Sequence, residues 1–74
     1  MPSKTYTRKQ LDNMNEAELR KLAEETAVAY YESGTSGVSF GGANPKEVAK
    51  ALAGQGTPTS LKKDILAMQK KMGN

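Results

Sequence analysis

Apolar residues recur at every third or fourth position in two long stretches of the chain, and a glycine-rich segment separates these stretches. This spacing places the apolar side chains on one side of an α-helix. The positions are Leu19, Leu22, Ala23, Thr26 and Tyr30 in the first stretch, and Leu61, Ile65, Met68 and Met72, widened by Leu66, in the second. The pattern therefore predicts two amphipathic helices, at about 16–32 and about 60–72.

Capping residues mark where these and two shorter helices begin. Thr7 with Gln10 and Asn15 with Glu18 fit the capping box, in which each side chain accepts from the other residue's backbone N–H. They predict a short helix at 8–13 and the start of the helix at 16–32. Leu11 and Met14 precede the second box and are predicted to fold back onto the start of the long helix as a hydrophobic staple.

A third helix is predicted between the two long ones. Asn44 precedes Pro45, which suits the first helical position, and Glu47 follows three residues after Asn44. We expect this helix to end near Ala53, with Val48, Ala49 and Leu52 on its buried edge. Glycines after apolar runs, where helices often end, predict the stops of three helices at Gly34, Gly54 and Gly73.

The segment between the first long helix and the third helix is predicted to be a loop. Residues 33–44 contain four glycines in twelve positions. Val38 and Phe40 alternate within it, so a short extended piece is expected to press both onto the helices, with Phe40 as a core anchor. The predicted fold is all-α: a small bundle of three to four helices with a glycine-rich central loop.

The size of the chain limits its stability. Its 74 residues, 36% of them hydrophobic, predict a flexible arm at 1–6 and one domain at 7–74. Such a core supplies roughly 3–5 kcal/mol of net stability. A partner or self-association is therefore expected to matter, and homo-oligomer formation stays open.

Two residue types are absent from the sequence, and their absence limits the reactions and metal sites that the chain can support. The chain has no cysteine and no histidine, which excludes disulfides, thiolate–zinc sites and the usual neutral-pH general base. No stretch has the length of apolar sequence that crosses a membrane. We therefore expect a cytoplasmic protein that is not an enzyme, binds no cofactor or metal, and has no membrane partner.

The charge is unevenly distributed along the chain. The net charge is +3, yet residues 11–33 carry six acidic and two basic side chains. The basic groups concentrate at both ends: Lys4, Arg8 and Lys9 at the front, and Lys62, Lys63, Lys70 and Lys71 at the back. Such polarity suits an anionic partner met by the termini. A solvated surface that keeps a small protein in solution explains it equally well.

The turn before the last helix is a candidate anion site. Gly56, Thr57 and Ser60 lead into a helix N-terminus, where backbone N–H groups and the helix dipole attract anions. With Thr59 or Ser60 as the cap, Lys62 and Lys63 fall in the first turn. Ordinary turn chemistry is the alternative interpretation.

Two pieces of the chain resemble the helix–extended–helix group, which includes SAP domains, LEM domains and the Rho N-terminal domain. These pieces are Leu11, Met14, Leu19, Leu22 and Ala23, and then Ser60-Leu61-Lys62-Lys63-Asp64-Ile65-Leu66. Many members bind DNA or RNA through the link and the basic start of the second helix. The resemblance implies nucleic-acid contacts by Gly56, Thr57, Ser60, Lys62 and Lys63. Here residues 34–53 stand where those domains have a short link.

A second resemblance is to the helix–turn–helix. Residues 48–53, a turn, and residues 60–72 resemble its two helices, which implies that the last helix reads a DNA major groove. Both resemblances point to the surface between Thr59 and Lys71.

The sequence thus predicts a small nucleic-acid-binding module. Phosphates are contacted by Lys62, Lys63, Lys70 and Lys71, with help from Lys4, Arg8 and Lys9, and by N–H groups of the turn. The alternative is a protein-interaction module, such as an adaptor, an inhibitor or a phage structural or accessory subunit. Such a module would bind its partner through the acidic helix 16–32 and the pair Tyr30-Tyr31. Met14, Met68 and Met72 would add an adaptable apolar patch, and the alternative is that these methionines fill the core.

Overall fold

The part of the chain that the structure describes folds into four helices, which confirms the predicted all-α class. The structure is a computed structural model that describes residues 5–34, 42 and 44–73. Its helices are α1 (Arg8–Asp12), α2 (Glu16–Glu32), α3 (Pro45–Gln55) and α4 (Pro58–Lys71). The central helix α2 packs against both α3 and α4, and α1 lies against α4.

Both predicted capping boxes are present and set the starts of α1 and α2. The Thr7 hydroxyl accepts from the Gln10 N–H at 3.2 Å, and the Gln10 side chain accepts from the Thr7 N–H at 2.8 Å. Asn15 and Glu18 make the same exchange at 2.8 and 3.1 Å. These reciprocal hydrogen bonds provide acceptors for backbone N–H groups that have no partner within the helix at its start. The starts of α1 and α2 therefore follow from local sequence.

The end of α3 differs from the prediction. Asn44 does cap this helix, accepting from the Lys46 N–H at 2.9 Å. The helix then continues through Gly54 to Gln55, and its C-cap is Gly56 in an extended conformation. Gly54 keeps a helical backbone, whereas Gly34 and Gly73 follow the ends of α2 and α4 as predicted and have positive φ, at 79° and 84°.

The start of α4 also differs from the prediction. Thr57 is the N-cap and accepts from the Ser60 N–H at 3.2 Å, so the cap is neither Thr59 nor Ser60. Pro58 occupies the first helical position, where it lacks only an N–H that has no helical partner. Since the helix starts two residues earlier, Lys62 and Lys63 lie in its second turn, away from the strongest part of the dipole.

The core consists of two clusters along α2. The first contains Leu11, Leu19, Ala23, Ala53, Leu61 and Ile65, and the second contains Ala27, Tyr30, Ala49 and Met68. Both predicted apolar stripes are therefore buried, although Leu22, Leu66 and Met72 are only half-buried. Each cluster contains one buried alanine of α2 and one of α3, and these small side chains allow a close approach of the two helices. Val38 and Phe40, predicted to pack here, lie outside the described residues.

Candidate nucleic-acid interface

The outer surface of α4 carries three exposed lysines, Lys63, Lys70 and Lys71. Among the described residues, none of them forms an ion pair with an acidic side chain. Lys63 and Lys70 are seven residues apart, so they lie on nearly the same side of the helix, separated by roughly 10 Å along its axis. We call this pair the lysine face.

Lys62 is placed differently from the other lysines of α4. Its Nζ lies 3.0 Å from Asp12 Oδ1, and its side chain is only 20% exposed. Arg8 Nε approaches the same oxygen at 3.4 Å. This cluster of two cations and one carboxylate has a net charge of +1 and joins α1 to α4. It therefore contributes less positive charge to the surface than the sequence indicates.

The electrostatics of this cluster act on Asp12. The hydrogen bond from Lys62 lowers the pKa of the Asp12 carboxyl below its usual value, and the charges of Lys62 and Arg8 lower it further. Desolvation raises this pKa by less than the Lys62 hydrogen bond lowers it, although by more than either charge alone, and the net change is downward. Asp12 consequently stays ionised and keeps Lys62 directed toward α1.

The turn before α4 uses two of its three predicted N–H donors within the chain. The Gly56 N–H donates to the Leu52 carbonyl at 3.2 Å, and the Ser60 N–H donates to the Thr57 hydroxyl. The Leu61 N–H donates to the Thr57 carbonyl at 2.8 Å. The turn therefore offers fewer donors to an anion than the sequence indicates.

Arg20 of α2 also occupies this turn, although its position in the sequence indicates only an i,i+4 pair with Glu16. Its Nη1 lies 2.8 Å from the Ala53 carbonyl oxygen, 3.2 Å from that of Gly54 and 3.0 Å from that of Gly56. These carbonyls have no helical donor because α3 ends there. The guanidinium takes the place of a left-handed glycine cap, which explains why α3 continues through Gly54.

The N-terminal segment is fixed against α4 by a buried glutamine. Gln69 Oε1 accepts from the Tyr6 N–H at 2.8 Å, and Gln69 Nε2 donates to the Tyr6 carbonyl at 2.8 Å. One signal was present in the sequence: Gln69 follows Leu61 and Ile65 at the same four-residue spacing, on the apolar stripe. The exposed residues Arg8 and Lys9 are thereby held on the element next to α4, while Lys4 lies outside the described residues.

The exposed side of α2 carries a line of acidic residues. Glu18, Glu25 and Glu32 are exposed and are spaced by seven, so they share one side of the helix. Among the described residues, none of the three forms an ion pair. Glu18 is used in the capping box, whereas Glu25 and Glu32 cap no helix in the part of the chain that the structure describes.

A groove lies between α2, α3 and α4 near the last turns of α2 and α4. Its volume is about 220 Å³, and its lining comprises Tyr30, Tyr31, Leu52, Asp64, Ala67, Met68 and Lys71. The rings of Tyr30 and Tyr31 stand with centroids 5.7 Å apart. Met68 is buried and fills the core, while Met14 and Met72 are half-buried against it.

The apolar residues behind the helix–extended–helix resemblance share one cluster. Leu11, Leu19, Ala23, Leu61 and Ile65 are buried together, and Met14, Leu22 and Leu66 pack against them. No helix of the described residues has the length and apolar character needed to cross a membrane. Neither a protein-family model, nor a curated protein, nor a solved structure matches this chain.

Proposed function

We propose that this protein is a small nucleic-acid-binding module that contacts phosphates through the lysine face of α4. The observation that carries the proposal is that Lys63 and Lys70 are exposed, aligned and without an acidic partner among the described residues. Phosphates release condensed counterions when lysines neutralise them, and this release drives association.

Two further features support the same surface. Arg8 and Lys62 place a cluster of net positive charge on the α1 side of α4. Lys71 adds a third exposed cation at the end of the helix.

The proposal has a quantitative consequence. If about three phosphates are neutralised, the logarithm of the binding constant falls with the logarithm of salt concentration with a slope of about −2.7. Between 50 and 200 mM salt, affinity then falls by about 40-fold. Since no base-reading set is present on α4, sequence preference is expected to be weak.

The test is fluorescence anisotropy of labelled duplex DNA and of single-stranded RNA, titrated with the full chain. The variant Lys63→Glu with Lys70→Glu should abolish binding. The matched control is Lys46→Glu with Lys50→Glu, because both of these lysines are exposed on α3 and the change in net charge is the same. Equal loss in both variants would show that total charge, not the lysine face, controls binding. Absence of binding by the wild type at low salt would refute the proposal.

Lys62 is unsuitable for this test. Reversing its charge would bring a carboxylate against Asp12 and disturb the contact between α1 and α4. A loss of binding would then report loss of packing as much as loss of a phosphate contact.

A protein-interaction module remains the second candidate, and the acidic line on α2 favours it. Glu25 and Glu32 are exposed, without ion pairs among the described residues, and without a capping role. A basic segment of another protein would complement them. Glu25→Lys with Glu32→Lys should abolish such a contact and leave any nucleic-acid binding intact or stronger, which separates the two functions.

A further inference from the structure

Two cations meet at one carboxylate oxygen where α1 lies against α4. Lys62 Nζ is 3.0 Å and Arg8 Nε is 3.4 Å from the same atom, Asp12 Oδ1. A phosphate oxygen accepts hydrogen bonds from lysine and arginine as a carboxylate oxygen does. The junction between the two helices therefore contains a pair of cations that converge on an oxyanion, and this oxyanion belongs to the chain itself.

The positions of these two cations do not depend on Asp12. The Gln69 side chain holds both backbone groups of Tyr6, so the segment that leads into α1 is fixed against α4. The capping box then fixes the start of α1, at which Arg8 lies. The Lys62 side chain is only 20% exposed and is confined between the helices. Loss of the Asp12 charge therefore leaves both cations at the junction.

The junction is open to solvent on its outer side. The side chains of Arg8 and Asp12 are 62% and 50% exposed, so a phosphate group can approach the cluster from outside. An ion pair between exposed side chains contributes little to stability, and a second anion can therefore compete for its donors. Asp12 opposes such an anion in two ways, because its carboxylate occupies the donors and also repels negative charge.

We propose that Asp12 is an autoinhibitory residue of the nucleic-acid-binding surface, because its carboxylate occupies a phosphate site between Arg8 and Lys62. This inference rests on the proposed function, to which it adds a second phosphate site beside the lysine face. In the wild type the carboxylate competes with a phosphate of the nucleic acid for the same donors. Neutralisation of Asp12 should therefore tighten binding.

The size of the effect follows from counterion release. If neutral residue 12 allows about one more phosphate contact, the slope of log K against the logarithm of salt concentration steepens by about 0.9. Affinity then rises by about tenfold at 50 mM salt and by about fourfold at 200 mM salt. A carboxylate that contacts neither cation competes for no donor, and salt screens its charge, so its loss should change affinity far less.

The test is fluorescence anisotropy of labelled duplex DNA and of single-stranded RNA, titrated with the full chain at both salt concentrations. Asp12→Asn removes the charge and nearly preserves the shape of the side chain. The matched control is Glu25→Gln, which makes the same change in net charge at an exposed position without an ion pair among the described residues. Asp12→Asn should bind about tenfold more tightly than the wild type at 50 mM salt, with a steeper slope. Glu25→Gln should stay close to the wild type.

A second variant distinguishes a phosphate site from a general effect of charge. Arg8→Gln should lower affinity little in the wild type, where Asp12 occupies the guanidinium. The same substitution should lower affinity several-fold in the Asp12→Asn background, where the guanidinium is available to a phosphate. Equal effects of Arg8→Gln in the two backgrounds would show that residues 8 and 12 act independently, and would overturn the inference.

The outcomes separate this inference from the proposed function. If the wild type binds and Asp12→Asn binds no more tightly than Glu25→Gln, the autoinhibitory role is refuted and the lysine face is unaffected. If no variant binds at low salt, both proposals fail. Binding by Asp12→Asn in the absence of wild-type binding would support the autoinhibitory role alone. Circular dichroism establishes that each variant is folded, and Asp12→Ser makes the same charge change and should give the same gain if Asp12→Asn does not fold.

Discussion

Replacement of Arg20 should destabilise the fold far more than its surface position on α2 indicates. In the variant Arg20→Met the apolar stem is retained and the guanidinium is lost. The carbonyls of Ala53, Gly54 and Gly56 then lose their donor. Gly54 is exposed and its carbonyl can be solvated, but Ala53 is only 3% exposed, so its carbonyl is poorly placed to find water.

The magnitude follows from these contacts. A hydrogen bond to a charged group contributes about 1.5–3 kcal/mol when buried. The Arg20 side chain is 34% exposed, and a single Nη1 serves the three carbonyls, so we expect a total loss of about 2 kcal/mol. For a domain of this size such a loss lowers Tm by about 10 °C.

The matched control removes the other partner of Arg20. Glu16→Gln deletes the exposed i,i+4 ion pair with Arg20 and leaves the carbonyl contacts in place. An exposed pair of this kind contributes only about 0.5 kcal/mol. Thermal and urea unfolding followed by circular dichroism compare the two variants. Equal destabilisation by both, or a loss below about 0.5 kcal/mol for Arg20→Met, would refute the capping role.

Three further variants test other contacts. Gln69→Leu should cost about 1–3 kcal/mol and speed amide exchange at Tyr6, because both backbone groups of Tyr6 lose their partner; unchanged exchange would contradict this. Gly56→Ala should lower Tm, because a Cβ there would stand 2.8 Å from Cδ2 of the fully buried Leu61; an unchanged Tm would mean that Leu61 repacks freely. The pKa of Asp12 is lower in the folded protein than in the unfolded chain, where it is near 3.8. Asp12 therefore adds to the free energy of unfolding at pH values above 3.8, and this contribution is lost as the pH falls through the folded-state pKa. Asp12→Asn should therefore weaken the acid dependence of unfolding, and an identical pH profile would contradict the assignment.

The parts of the fold that the sequence predicted are those in which a few neighbouring residues decide the outcome. The boxes at Thr7 and Asn15 combine a cap and its partner within three residues, so the starts of α1 and α2 follow from local sequence. The apolar stripes gave the buried faces of α2 and α4 for the same reason. Leu11 is the buried residue of α1, and its packing onto the long helix was predicted from its position before the second capping box.

The predicted end of α3 and the predicted start of α4 were wrong, because a distant residue determines the first and a stronger local preference determines the second. Gly54 did not end α3, because Arg20, more than thirty residues earlier, donates to the carbonyls of Ala53, Gly54 and Gly56 at the end of the helix. Thr57 rather than Ser60 caps α4, because Pro58 favours the first helical position.

The candidate site shows the same limit. The sequence showed four lysines on the last helix, but only packing reveals that Lys62 is paired to Asp12, fifty residues earlier. The contact between Gln69 and Tyr6 spans almost the whole chain. Pairings at such separations depend on how the helices pack, and no local pattern encodes them.

The salt dependence of nucleic-acid binding shows whether the lysine face of α4 contacts phosphates. Anisotropy titrations at several salt concentrations give the slope of log K against the logarithm of salt concentration. The titrations compare the wild type with Lys63→Ala with Lys70→Ala and with the control Lys46→Ala with Lys50→Ala. Phosphate contact by the lysine face predicts that the first double variant reduces the magnitude of this slope by about 2, one for each lost phosphate contact, while the control leaves it unchanged. A slope that both variants change equally, or that neither changes, would contradict phosphate contact by the lysine face of α4.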